Sequence, residues 1–173
     1  MNDPRMDTES CPKFLADQTA GKLARWLRIL GLDVDYIATC EPERILKQAR
    51  RTGRKVITRN KEVARKFPTG VILLESSKLH SQIKQIVNFV GRGWIDPFSR
   101  CNICNAKLIE VEKQKVRGRV PEYVFNTHDE FSMCPVCGRY YWQGTHWQKM
   151  QEQLTEVMEG REDEISTDRD RDD

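Results

Sequence analysis

The sequence predicts an α/β fold, a small Rossmann-like parallel sheet with flanking helices, followed by a compact C-terminal module organised by cysteines. Two observations predict it. Between residues 13 and 91, short apolar runs alternate with helical patterns, the signature of βαβ units and a parallel sheet. Between residues 98 and 147, four cysteines fall into two C-x-x-C pairs.

The elements of the first region follow in order. Residues 13–17 read as a strand, and residues 20–30 as a helix in which Leu23, Trp26, Leu27 and Leu30 recur at helical spacing until Gly31 closes it. Residues 34–38 form the second strand. Residues 43–52 form the next helix, with Pro42 suited to its first turn, Ile45, Leu46 and Ala49 on its inner side, and Gly53 at its end. A third strand at 55–58, a short helix at 61–66 and a fourth strand at 70–74 complete the alternation. Over residues 78–90, Leu79, Ile83, Ile86, Val87 and Val90 make one stripe, an amphipathic helix that packs on the sheet. Four such strands joined by right-handed crossovers form a minimal three-layer unit.

The character changes at Gly91-Arg92-Gly93, which bounds the α/β domain at 13–91. In the module at 98–147, Cys101-Asn-Ile-Cys104 and Cys134-Pro-Val-Cys137 are separated by 29 residues. Each pair offers two thiolates on one tight turn, and two turns complete a tetrahedral set. Cys101, Cys104, Cys134 and Cys137 are therefore expected to hold one structural Zn2+ in a zinc ribbon. With all four positions filled by protein there is no place for substrate, so the ion reads as a staple for a region too small to fold alone. The insert carries Lys113, Lys115, Arg117 and Arg119 and reads as a β-hairpin with a basic tip, which either touches phosphates or is simply solvated. Residues 138–147 are unusually aromatic, a pattern that serves to stack on bases or to seal a ribbon against its neighbour. Residues 148–159 form a terminal helix, with its pattern beginning at 146, that packs back on one of the two units. Residues 1–12 read as a disordered leader and 160–173 as a disordered acidic tail.

With 173 residues and 38% hydrophobic content, the chain suits one domain with a small appendage. No run approaches the roughly 18 apolar residues that span a bilayer, and residues 1–12 lack the apolar stretch of a signal peptide. The expectation is a protein of the cytoplasm or another intracellular compartment, neither secreted nor in a membrane. Reducing conditions there favour metal over disulfides, and leave Cys11 and Cys40 as free thiols. The net charge of +3 conceals an asymmetry: nine acidic residues and three arginines give residues 155–173 a charge of −6, leaving +9 on the rest. A basic body suits a polyanionic partner, nucleic acid first, or is only a solvated surface.

In open parallel sheets, ligands sit beyond the carboxyl ends of the strands. Asp17 lies there after the first strand, Glu41 and Glu43 follow the second, and Arg59 and Asn60 follow the third. Carboxylates gathered on such a rim hold Mg2+ or Mn2+, which activates water against a phosphodiester. An acidic residue in this place is also a common helix cap. Lys22, Arg25 and Arg28 lie on the polar side of the adjoining helix, in position for phosphate.

Phe14-Leu-Ala-Asp17, Gly21-Lys-Leu-Ala-Arg-Trp-Leu-Arg28 with Leu30-Gly31, Thr58-Arg59-Asn60, and the two cysteine knuckles with Tyr141-Trp-Gln-Gly-Thr-His-Trp147 resemble the Mut-seven carboxy-terminal RNase family over residues 13–150. The resemblance implies a PIN-like nuclease domain joined to a zinc ribbon, and metal-dependent hydrolysis of RNA. It implies Asp17 as the first acidic ligand; on the nuclease hypothesis Glu41 or Glu43 and Asn60 complete the catalytic set, and Lys22, Arg25, Arg28 and Arg59 steer RNA. The family pattern has aspartate after Thr-Arg, where this chain has Asn60, which offers an oxygen but no charge. Two functions follow: a Mg2+- or Mn2+-dependent endoribonuclease, or a degenerate PIN-like module that binds RNA or ribonucleoprotein. A third is an adaptor that docks a protein partner through its ribbon or tails.

Overall fold

The alternating pattern of the N-terminal half becomes four short strands and four helices in a computed structural model that describes residues 10–159. Of the leader expected to be disordered over residues 1–12, residues 1–9 fall outside the described residues, as does the tail at 160–173, while Cys11 is placed against the larger apolar core. Strands β1 (Phe14–Ala16), β2 (Val34–Tyr36), β3 (Lys55–Thr58) and β4 (Val71–Leu73) are all parallel, in the order β2-β1-β3-β4. The helices are α1 (Gly21–Ile29), α2 (Pro42–Thr52), α3 (Lys61–Lys66) and α4 (Leu79–Val90).

Both faces of the sheet are buried, which is why its central strands read as unbroken apolar runs. Strand alternation sends Phe14, Ala16, Val34 and Ile57 into one core with Leu23, Leu27, Ile83 and Ile86 of α1 and α4. It sends Leu15 and Val56 into the other, with Ile45, Leu46, Ala49 and Val63 of α2 and α3. Each fully buried Leu, Ile or Phe contributes about 2 kcal/mol, so side-chain burial rather than three-residue ladders holds the sheet. Pro42 opens α2, and Gly53 ends it in the left-handed region at φ 64.

The second unit is an antiparallel sheet of β5 (Ile109–Val111), β6 (Phe131–Met133) and β7 (Tyr140–Tyr141). Strands β5 and β6 pair, but the expected basic hairpin tip is not a simple turn. It folds into a 3₁₀ turn at Lys113–Val116 and a short helix α5 (Glu122–Thr127). Val116, Val120 and Val124 recur every fourth residue and, with Phe131, bury a core of their own. The terminal helix α6 (Thr145–Glu159) packs on the α/β unit, where Leu154 and Met150 join the core of α1 and α4. Among the described residues no helix is long and apolar enough to cross a membrane.

Strand β2 lies at the sheet edge, and the ribbon covers it. The Asn105 Oδ1 accepts from Val34 N at 3.0 Å, and Arg28 Nε donates to Val34 O at 2.7 Å, so the outward backbone groups of the edge are answered by side chains. Beside them Asp33 accepts from Arg54 at 2.6 Å and from Asn105 Nδ2 at 2.7 Å, with Arg100 at 3.6 Å. Asp35 accepts from Arg54 Nε at 2.8 Å and from Asn105 Nδ2 at 3.1 Å. The connecting segment lies on the end of α1, where Asp96 N bonds Leu30 O at 3.0 Å and Phe98 N bonds Ile29 O at 2.7 Å. This closeness fixes Gly31: its φ is +88, and a Cβ there would lie 2.2 Å from Asp96 O.

Candidate functional site

In this sheet the connections after β1 and β3 leave in opposite directions, so the crevice between those two strands is where a doubly wound fold receives a ligand. Asp17 follows β1 at this crevice and Thr58 ends β3. Asp17 is fully buried, the one buried carboxylate among the described residues. Its Oδ1 accepts from Thr19 N at 2.9 Å and from the Thr19 hydroxyl at 2.5 Å, and its Oδ2 accepts from the Thr58 hydroxyl. In doing so Asp17 caps the 3₁₀ turn at Gln18–Ala20 that leads into α1. The two hydroxyls reach onward: Thr19 Oγ1 accepts from Arg59 N at 2.9 Å and Thr58 Oγ1 from Asn60 N at 2.8 Å. The strand ends are thus laced together, and the donors on the Asp17 carboxylate are hydroxyls and an amide rather than cations.

The other residues of the expected acidic rim are placed differently. Asn60 shares the Thr58 hydroxyl with Asp17, but its Oδ1 caps α3 by accepting from Glu62 N at 2.9 Å, and its Nδ2 donates to Cys40 O at 3.3 Å. Glu41 is exposed and lies 3.8 Å from Arg44. Glu43 is exposed and bonded to Lys66, which holds the Glu43 carboxyl below the usual carboxylate range. Asp17 and Asn60 meet through Thr58, while Glu41 and Glu43 sit on the solvent side of the α2 start. Among the described residues, only the four paired cysteines form a group of three or more His, Cys, Asp or Glu ligands.

The basic residues also divide. Lys22 and Arg25 are exposed on α1 and Arg59 is exposed at the rim. Arg28 is buried: its guanidinium donates to Val34 O, to Asn102 O at 3.2 Å and to Ile103 O at 2.6 Å, so it staples α1 and the edge of β2 to the first cysteine knuckle. Burial pulls Arg28 below the usual arginine range, opposed by Asp35 and by the thiols of Cys101 and Cys104. Arg28 is therefore not available to phosphate.

The Sγ atoms of Cys101, Cys104, Cys134 and Cys137 all lie within 4.8 Å of one another. A tetrahedron with zinc–sulfur bonds of about 2.3 Å has edges of about 3.8 Å. Cys101 and Cys137 are 3.7 Å apart, and Cys104 and Cys134 3.2 Å. The knuckles are built alike. Cys104 N points at Cys101 Sγ at 3.4 Å and Cys137 N at Cys134 Sγ at 3.5 Å, and the residue after each second cysteine is left-handed, Asn105 at φ 68 and Gly138 at φ 73.

Burial alone would raise the Cys101 thiol, but bonds from the Tyr141 hydroxyl at 3.0 Å and from nearby backbone amides bring it down to about 6. Burial, together with the neighbouring thiols, pushes Cys104 up to about 12. Cys134 is lowered, its backbone and thiol hydrogen bonds outweighing burial, and Cys137 is raised, chiefly by burial. Four negative sulfurs this close repel one another. A dication removes that repulsion, so the donor set fits zinc.

Sequence reasoning left Thr19, Thr58, Asp33, Asp35, Arg54 and Asn105 without roles. One signal was present: an asparagine stands after Cys104 where glycine stands after Cys137, a choice that keeps the left-handed turn and adds a side chain able to bridge. The sequence model of the Mut7-C RNAse domain family matches residues 12–154. No curated protein matches the chain.

Proposed function

The chain belongs to the Mut7-C RNAse domain family, and from that premise we propose a metal-dependent endoribonuclease whose site is centred on Asp17. Membership carries a nuclease or RNA-processing role. The finer reading is supported by one observation, a fully buried carboxylate at the crevice between β1 and β3 whose donors are all neutral. A carboxylate removed from water without a basic partner costs several kcal/mol, which a cation at the rim offsets. Bound there, Mg2+ or Mn2+ supplies a water of lowered pKa and offsets phosphate charge.

In this reading Thr19 and Thr58 orient the Asp17 carboxylate, and Asn60 supplies an amide oxygen when it turns from Glu62 N. Glu41 or Glu43 contributes only on leaving Arg44 or Lys66. Lys22 and Arg59, both exposed beside the rim, hold the RNA backbone. Residues 13–91 are the nuclease unit, and residues 98–147 are a ribbon in which the four cysteines hold a structural Zn2+.

A second reading, an RNA-binding module without turnover, is favoured by the neutral Asn60 and by the outward pairing of both glutamates, which leave Asp17 as the single carboxylate of the rim. Cleavage of single-stranded and structured RNA with Mn2+ separates the two. The nuclease reading expects turnover that falls at least about 100-fold, roughly 2.7 kcal/mol in barrier, in Asp17→Asn with the fold intact. It expects Asn60→Asp to cleave faster. An inert native chain made active by Asn60→Asp establishes the second reading, and equal turnover in Asp17→Asn removes Asp17 from the site.

A further inference from the structure

Where α1 meets the ribbon there is a groove of about 830 Å³, separate from the Asp17 rim. Arg25 of α1, Arg119 from the insert and Arg139 at the exit of the second knuckle line it beside Tyr140 and Trp142, and no carboxylate does. All three arginines are exposed, and both rings are half-buried. Among the described residues, the guanidinium groups of Arg119 and Arg139 have no hydrogen-bond or ion-pair partner. A larger cleft, about 1220 Å³, shares Tyr140 and Trp142 but sets Glu110, Glu112, Asp129 and Glu130 against Arg100 and Lys113, so its carboxylates outnumber its cations and it suits a polyanion less.

The geometry points to the arginine groove as a binding track for single-stranded RNA, an inference that deepens the RNA reading above and rests on it. Guanidinium forks match phosphate oxygens, and partly exposed aromatic rings offer faces to unstacked bases, a combination that a duplex with its bases paired cannot use. Arg25 lies three residues beyond Lys22 on α1, about 4.5 Å along the helix axis. Positive charge therefore runs from the helix start beside Asp17 to the ribbon. Arg28 and Asn105 lock the first knuckle against β2, which sets the distance between rim and groove before RNA arrives. A strand seated on Arg119 and Arg139 is held at that fixed distance from Asp17.

The test uses the zinc-loaded full chain and a fluorescent, uncleavable 2′-O-methyl single-stranded oligonucleotide, with affinity followed by anisotropy over a salt series. The Arg119→Gln/Arg139→Gln variant is expected to weaken binding about tenfold at low salt. Its slope of log affinity against log salt should fall by about 1.4, at roughly 0.7 for each single-strand phosphate no longer neutralised. Lys47→Gln/Lys84→Gln removes the same charge from exposed positions on α2 and α4 and is expected to leave the slope unchanged. Equal slope losses in the two variants, or none in the first, overturn the groove while leaving the RNA reading intact. A duplex bound as tightly with the same arginine dependence overturns the single-strand assignment. Polyglutamate bound with that dependence while the oligonucleotide is not assigns the groove to acidic protein instead. A native chain that binds no oligonucleotide at low salt removes the RNA reading itself.

Discussion

The cysteine cluster and the Asp17 rim assemble their ligands in opposite ways. In the cluster, each half is local: two thiols three residues apart on one turn, with the second cysteine's own amide aimed back at the first sulfur. Four like ligands within 4.8 Å repel unless a cation joins them, so that site depends on metal to be complete. At the rim, single residues arrive from separate strand ends and the sheet order brings them together. Asp17 is held there by the Thr19 and Thr58 hydroxyls, so this site keeps its shape without an ion. On the reading proposed, metal is structural in the first and chemical in the second.

The sharpest way to break this contrast is to remove zinc. Chelation, or Cys134→Ser, is expected to unfold the ribbon, with a loss on the order of 10 kcal/mol of apparent stability, as for small zinc modules. Hydrogen exchange should then rise through residues 109–141 while the amides of β1 and β3 stay protected. Equal loss of protection in both units would instead make the ribbon inseparable from the sheet.

The contact between the units carries the next effect. Asp33→Ala leaves Arg54 and Arg100 beside an empty place and is expected to cost about 3 kcal/mol in denaturant unfolding. The pH dependence has a definite sign. Burial opposes ionisation of Asp33, but hydrogen bonds from Arg54 and Asn105 outweigh it and hold the carboxyl below its ordinary value. Its stabilisation is therefore fully present above the unfolded value of about 4 and is lost as pH falls through the lower folded value. Asp33→Asn should flatten that part of the acid profile, and an unchanged profile contradicts the assignment.

Asn105→Gly is a cleaner variant, because glycine keeps the left-handed turn and deletes only the bridge to Val34, Asp33 and Asp35. A cost of about 2 kcal/mol is expected, with zinc affinity retained. Tyr141→Phe is the mildest, about 1 kcal/mol, since it removes a hydroxyl from Cys101 Sγ and Asn102 Oδ1 and leaves the ring in place.

The sequence was most legible where the chemistry is local. Pro42 and Gly53 bound α2, β3 and α3 fall where their patterns put them, and the knuckles declare themselves by spacing. It was least legible where a distant segment decides what a side chain meets. Arg28 sits on the polar side of a helical wheel, yet the carbonyls that bury it belong to Asn102 and Ile103, more than 70 residues later. The basic residues of the insert hid Val116, Val120 and Val124, which come from the 3₁₀ turn, the turn after it and α5 and meet in one small core. For Glu41 and Glu43, position after a strand says nothing of direction, and Arg44 and Lys66 draw both carboxylates outward. Thr19 and Thr58 escaped notice because a threonine becomes a ligand-orienting group only once the strands are aligned.

Direct measurement of Mn2+ at the rim tests the account most closely. Electron paramagnetic resonance on zinc-loaded protein should show Mn2+ bound by the native chain, lost from Asp17→Asn and bound more tightly by Asn60→Asp, while the four cysteines keep their zinc in all three. Mn2+ bound equally by the native chain and by Asp17→Asn contradicts a cation site built on that buried carboxylate.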